Sequence, residues 1–173
     1  DVDTNGVMTA KRAGETIVFA QSILYNTFVL RCTLAVFEPN LPLAYIDTRH
    51  EIVNEPKVDA WMKVYDEAGR LAYDDPIGIE IRGSSTRSFP KKQYGVETRK
   101  RGGAGENNNV KLMGLPSEND WVFNGPYSDK SLLRNVIAFE LARKTGWYAS
   151  RYRFFELYLN GDYMGVYVLL EKI

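Results

Sequence analysis

Between Ile77 and Lys100 apolar and polar residues alternate twice along the chain. In the first run Ile77, Ile79 and Ile81 fall on one side and Glu80 and Arg82 on the other. In the second, Lys92, Tyr94, Val96 and Thr98 oppose Lys91, Gln93, Gly95 and Glu97. A period of two predicts two half-buried strands, joined by the small, hydroxyl-rich loop Gly83-Ser84-Ser85-Thr86-Arg87-Ser88 and stopped by Pro90. Further strands are predicted over VLRCTLAVF, LPLAYIDT, VDAWMKVY at 58–65 and NDWVFNG. RYRFFELYL and YMGVYVLLEK flank Asn160-Gly161, the strongest short hairpin signal. The last run is apolar on both faces and reads as a central strand buried on both sides. A single segment has helical periodicity, Ser131 to Thr145, with Ser128 or Asp129 to cap it and Gly146 to close it. Its stripe is Leu133, Val136, Ile137 and Leu141. These elements predict an α+β fold, an antiparallel sheet with one main helix packed across it, preceded by a short all-β segment.

Two charged residues lie on the apolar faces of their elements. Lys92 shares a face with Tyr94 and Val96, so its ammonium snorkels to water, pairs with a carboxylate or points into a cleft. Glu140 falls within the helical stripe and either sits at its edge in solvent or meets a positive partner inward. Packing the two faces together predicts a Lys92–Glu140 ion pair. A bulge after Pro90 would instead turn Lys91 inward. Arg134, beside the stripe, is expected to anchor a loop through a carboxylate, with bidentate phosphate binding as the alternative.

Composition narrows the chemistry. Lys+Arg and Asp+Glu are both 22 in 173 residues, which gives no reason to expect nucleic acid or an anionic membrane as partner. No run reaches membrane-spanning length. One cysteine and one histidine exclude an intrachain disulfide framework and argue against a zinc site, so a metal would be held by oxygen. The glycines of RGGAGENNN match no phosphate-binding fingerprint and read as a surface loop. The start DVDTNG carries no signal-peptide pattern, which leaves a cytoplasmic chain or a leader removed upstream. The end, VYVLLEKI, leaves a strand with no cap, as expected of a chain cut from something longer and prone to self-association through that truncated edge.

The motifs IEIRGSSTRSFPKKQYGVE, DWVFNGPYSDKSLLRNVIAFELARKTG and FFELYLNGDYMGVYVLLEKI, in this order, resemble the N-terminal half of the CotH spore-coat kinase family over roughly 41–173. The resemblance implies the small lobe of an atypical protein kinase that uses ATP and a divalent metal, Mg or Mn in the complete enzyme, to phosphorylate seryl residues of protein partners. It implies Lys92 and Glu140 as the catalytic ion pair and Arg82, Gly83, Ser84, Ser85 and Lys92 around the nucleotide, with Glu171 where a hinge would begin. The family's larger lobe, with its acidic motifs, has no counterpart in the 173 residues, so no phosphotransfer is expected of them alone. NGVMTAKRAGETIVFA resembles the closing strands of a bacterial immunoglobulin-like repeat of the Big-2 type. The implied domains are therefore 1–37, the end of such a repeat, and 41–173, the kinase portion, with Glu38-Pro39-Asn40 between them. This pairing points to the exterior of a bacterium or to its cell or spore surface. Two other classes fit the residues: a noncatalytic adhesion or scaffold module, and a carbohydrate-associated β module resting on Trp61, Trp121 and Trp147.

Overall fold

The computed structural model describes residues 14–21, 29–36, 40–103 and 105–172. The chain divides into two compact units, 1–40 and 41–173. In the first, β1 (Gly14–Gln21) pairs antiparallel with β2 (Val29–Val36), Gly14 opposite Val36. The Asn5-Gly6 turn and most of the immunoglobulin-like motif lie outside the described residues.

The second unit is a closed barrel of seven strands: β3 (Leu43–Asp47), β4 (Val58–Tyr65), β5 (Leu71–Arg82), β6 (Gln93–Thr98), β7 (Asp120–Asn124), β8 (Tyr152–Leu159) and β9 (Asp162–Glu171). Around the barrel the order is β3-β4-β5-β6-β7-β9-β8, and β3 closes it by pairing parallel with β8, Leu43 opposite Glu156. The expected α+β layout is thereby corrected: the unit is a mostly β closed barrel, not an open antiparallel sheet under a main helix. Closure also removes the truncated edge, because β9 is hydrogen-bonded to β7 on one side and β8 on the other.

Period-two alternation fills the barrel. Ala44, Ile46, Met62, Val64, Ile77, Ile79, Val96, Trp121, Phe123, Phe155, Leu157, Tyr167 and Leu169 point inward and are buried. The faces read for Ile77, Ile79, Tyr94 and Val96 are the buried ones. The hairpin between β8 and β9 turns through Asn160 and Gly161 at φ of 50° and 87°, the pair of positive values a two-residue primed turn requires.

The helix α1 is shorter than predicted, Arg134–Lys144, and lies outside the barrel. Its contact is a small second cluster in which Val136 and Phe139 meet Val122, Val168 and Leu170 of β7 and β9 and Tyr152 and Phe154 of β8. Leu133, Ile137 and Leu141 of the expected inward stripe are 43%, 52% and 59% exposed. The helix is rotated so that a narrow wedge, not the broad stripe, meets the barrel, because a curved outer wall offers less depth than a flat sheet. Among the described residues no helix is long and apolar enough to cross a membrane.

Candidate functional site

The loop between β5 and β6 stands at one mouth of the barrel, where Arg82 pairs with Gln93. It carries a single 3-10 turn, Ser85–Ser88, held by Ser88 Oγ donating to the Ser85 carbonyl at 2.8 Å. Gly83 opens it at φ 103°, and a Cβ there would collide with the Thr86 hydroxyl, so glycine is required on both counts. Gly83, Ser84 and Ser85 are exposed, and Arg82 is half-buried.

Two lysines follow, and each is tied to a backbone carbonyl. Lys92 Nζ donates to Arg87 O at 2.7 Å, which ties the half-buried lysine to the end of the 3-10 turn. Lys91 Nζ donates to Val166 O at 2.7 Å and stands 4.6 Å from the centroid of the Tyr167 ring. No carboxylate among the described residues pairs with Lys91, and burial pushes its ammonium below the usual lysine range. Lys91 reaches β9 at its bulge, where the register shifts after Leu157 and Gly165 takes φ 85°, while β6 keeps the predicted register with Tyr94, Val96 and Thr98 buried. A Cβ on Gly165 would come within 3.3 Å of the lysine nitrogen.

The Lys92–Glu140 pair expected from the two apolar faces is not formed. The start of α1 shares the lysine mouth, whereas Glu140, two turns further on, reaches the other end of the barrel wall. There it pairs with Arg143 on its own helix. The Tyr152 hydroxyl and Arg143 hold its carboxyl below the ordinary range. Glu171 also lies away from the loop, at the far end of β9. Arg151 grips both of its carboxylate oxygens, at 2.7 and 2.9 Å, and lowers its pKa. So Arg82, Gly83, Ser84, Ser85 and Lys92 form one constellation, and Glu140 and Glu171 stand outside it.

Three further residues border the loop that alternation alone did not single out. Asn124, at the end of β7, is 5% exposed. Arg134 opens α1 and lies 3.6 Å from Asp129, the loop anchor expected of it. Asp129 takes the capping role: one carboxylate oxygen accepts from the Ser131 amide and hydroxyl, the other from the Arg134 amide at 2.9 Å. These bonds, the Ser131 hydroxyl first, hold its pKa below the usual aspartate range. The one usable sequence signal was asparagine ending a buried strand, DWVFN, where an apolar residue would otherwise stand.

A closed β-barrel with one external helix and a glycine-hydroxyl loop followed by two lysines at its mouth defines the class of this unit. The family model described as CotH kinase protein matches residues 79–173, more than half of the chain, and the chain belongs to that family. It is 29% identical over 144 residues to the inner spore coat protein H of Bacillus subtilis (strain 168). That match covers 79% of this chain and 35% of the relative, so the chain spans about a third of that protein's length.

Proposed function

We propose that this chain is the nucleotide-binding part of a CotH-type protein kinase, which transfers a phosphoryl group from ATP to seryl residues of protein partners at a bacterial spore or cell surface. The observation that carries the reading is the Gly83–Ser88 loop with Lys92 bound to its last turn. Phosphoryl transfer is catalysed chiefly by positioning and by cations at the phosphates. Lys92 spends one of its three donors on Arg87 O and has two left for phosphate oxygens beside the loop. Ser84 and Ser85 are exposed in it, where such a ligand would lie. ATP bound there would supply the transferable phosphoryl group, and these residues would orient it and neutralise its charge. Glu140, which in the complete enzyme would serve as the lysine's counter-ion, has to exchange Arg143 for Lys92 to do so. Among the described residues no three His, Cys, Asp or Glu side chains gather in a metal-binding group, so no step is assigned to a metal here. The spore-coat name of the relative supports a spore-surface setting.

The test is ATP binding by the 173-residue chain, measured by calorimetry beside Lys92→Met and Lys91→Met. Binding that Lys92→Met abolishes, with an unchanged melting temperature, and that Lys91→Met retains, supports the reading. Equal affinity in the chain and in Lys92→Met removes the lysine from the nucleotide site, and no binding at all favours a noncatalytic scaffold.

A further inference from the structure

Between the β5–β6 loop and the start of α1 lies a cavity of about 180 Å³. Thr86 borders it from the loop, Gln93 and Asn124 from β6 and β7, Arg134 and Asn135 from the first turn of the helix. Asn124 is the informative residue. Its neighbour Phe123 points into the barrel against Phe155, at 4.6 Å between ring centroids, so alternation turns the Asn124 side chain outward, beneath α1. The residue is 95% buried, yet its carboxamide makes no hydrogen bond to any described residue. A buried amide needs a hydrogen-bond partner. The fully enclosed unpartnered polar atom among the described residues is the Trp121 indole nitrogen, so the Asn124 carboxamide is not sealed off and opens on this cavity.

The surrounding groups say what it would hold. Asp129 borders the cavity too, but its oxygens are taken by Ser131 and by the Arg134 amide, and the Arg134 guanidinium offsets its charge. Free donors remain from several directions: the Asn124 and Gln93 carboxamides, the Thr86 hydroxyl, an Arg134 side chain 82% exposed, and the Asn135 amide in the helix's first turn. Convergent donors at the positive end of a helix suit a compact anion with several acceptor oxygens. A planar carboxylate offers two such oxygens, and a phosphoryl group three.

We propose that this cavity is a phosphoryl-binding site, in which Asn124, Thr86 and Arg134 hold a phosphate that is either part of a bound nucleotide or free in solution. Only the first source rests on the nucleotide reading above, and that reading requires Lys92 and the exposed side of the loop, not Asn124 or the helix.

The experiment follows backbone and side-chain amide signals of the 15N-labelled 173-residue chain during titration with inorganic phosphate, ATP and adenosine. Saturable shifts of the Asn124 side chain and the Asn135 amide are expected with phosphate and not with adenosine. Arg134→Gln, at an exposed position that leaves the fold intact, and Thr86→Val should each weaken phosphate at least tenfold, with unchanged melting temperatures. Asn124→Asp, should it fold, should abolish binding by placing a second negative charge in the cavity. If ATP also moves these two signals, the nucleotide is a source. Shifts of these two signals with phosphate, and none anywhere with ATP, the Lys92 side of the loop included, keep the site and overturn the nucleotide reading. Shifts with ATP confined to the Lys92 side of the loop, with none from phosphate, overturn the site and keep that reading, and the absence of shifts with both overturns the two together.

Discussion

Lys91 shows how one residue's environment departs from what its neighbours in sequence suggest. Lys91 and Lys92 are chemically identical and adjacent, yet one ammonium is half-buried over an aromatic ring and the other reaches water on a loop. Desolvation lowers the folded-state pKa of Lys91 from its ordinary 10.5, so in the window between the two values the unfolded chain binds more protons than the folded one. Stability therefore rises with pH through that window, and at neutral pH the full desolvation cost is present. The Val166 hydrogen bond and the ring contact offset part of it, each on the order of 1 kcal/mol. We expect the stability difference between the wild-type chain and Lys91→Met to shift in favour of the wild type as pH rises from neutral toward about 10. Urea melts of the two proteins across that range would measure it, and a difference independent of pH would place the ammonium in solvent.

At the scale of elements, most of the strands were legible and the helix only half so. Val58–Tyr65 is β4 to the residue, and the Asn160-Gly161 turn sits where its dipeptide placed it, because alternation and turn chemistry are local properties. Helical periodicity located α1 but could not say which side faces the protein. Val136 and Ile137 are both apolar and about 100° apart on the wheel, and the outer wall of β7 and β9 selects Val136. The Lys92–Glu140 pairing failed for the same reason: it assumed that two apolar faces meet squarely, whereas the helix runs from the lysine mouth toward the opposite end. Substitutions separate the two orientations. Ile137→Lys and Leu141→Lys should each alter unfolding free energy by less than about 0.5 kcal/mol, the range of solvent-facing positions. Val136→Ala, which removes two buried carbons, should cost about 1–2 kcal/mol in the same denaturant titrations. The reverse order would restore the inward stripe.

For the molecule as a whole, closure is the property that no window of sequence contained. The strand alternation of β3 is the same whether its outer edge is free or paired, and its partner β8 lies more than a hundred positions further on, Leu43 opposite Glu156. At the seam the Glu156 amide donates to Pro42 O at 2.9 Å and the Asn160 amide to Ile46 O at 2.8 Å. In a closed barrel these two amides should exchange with deuterium as slowly as those in the middle of β9, and rapid exchange at both would indicate an open sheet. The seam has a further consequence during synthesis. Strands β3 to β6 can pair in succession as they leave the ribosome, each with its sequence neighbour, but the outer edge of β3 stays unsatisfied until residues 152–159 have emerged. Such late, non-local pairing slows folding and leaves an exposed edge in the interval. A chaperone that shields nascent β-edges would therefore find its binding segment at 43–47, the barrel strand made first and left half-paired longest.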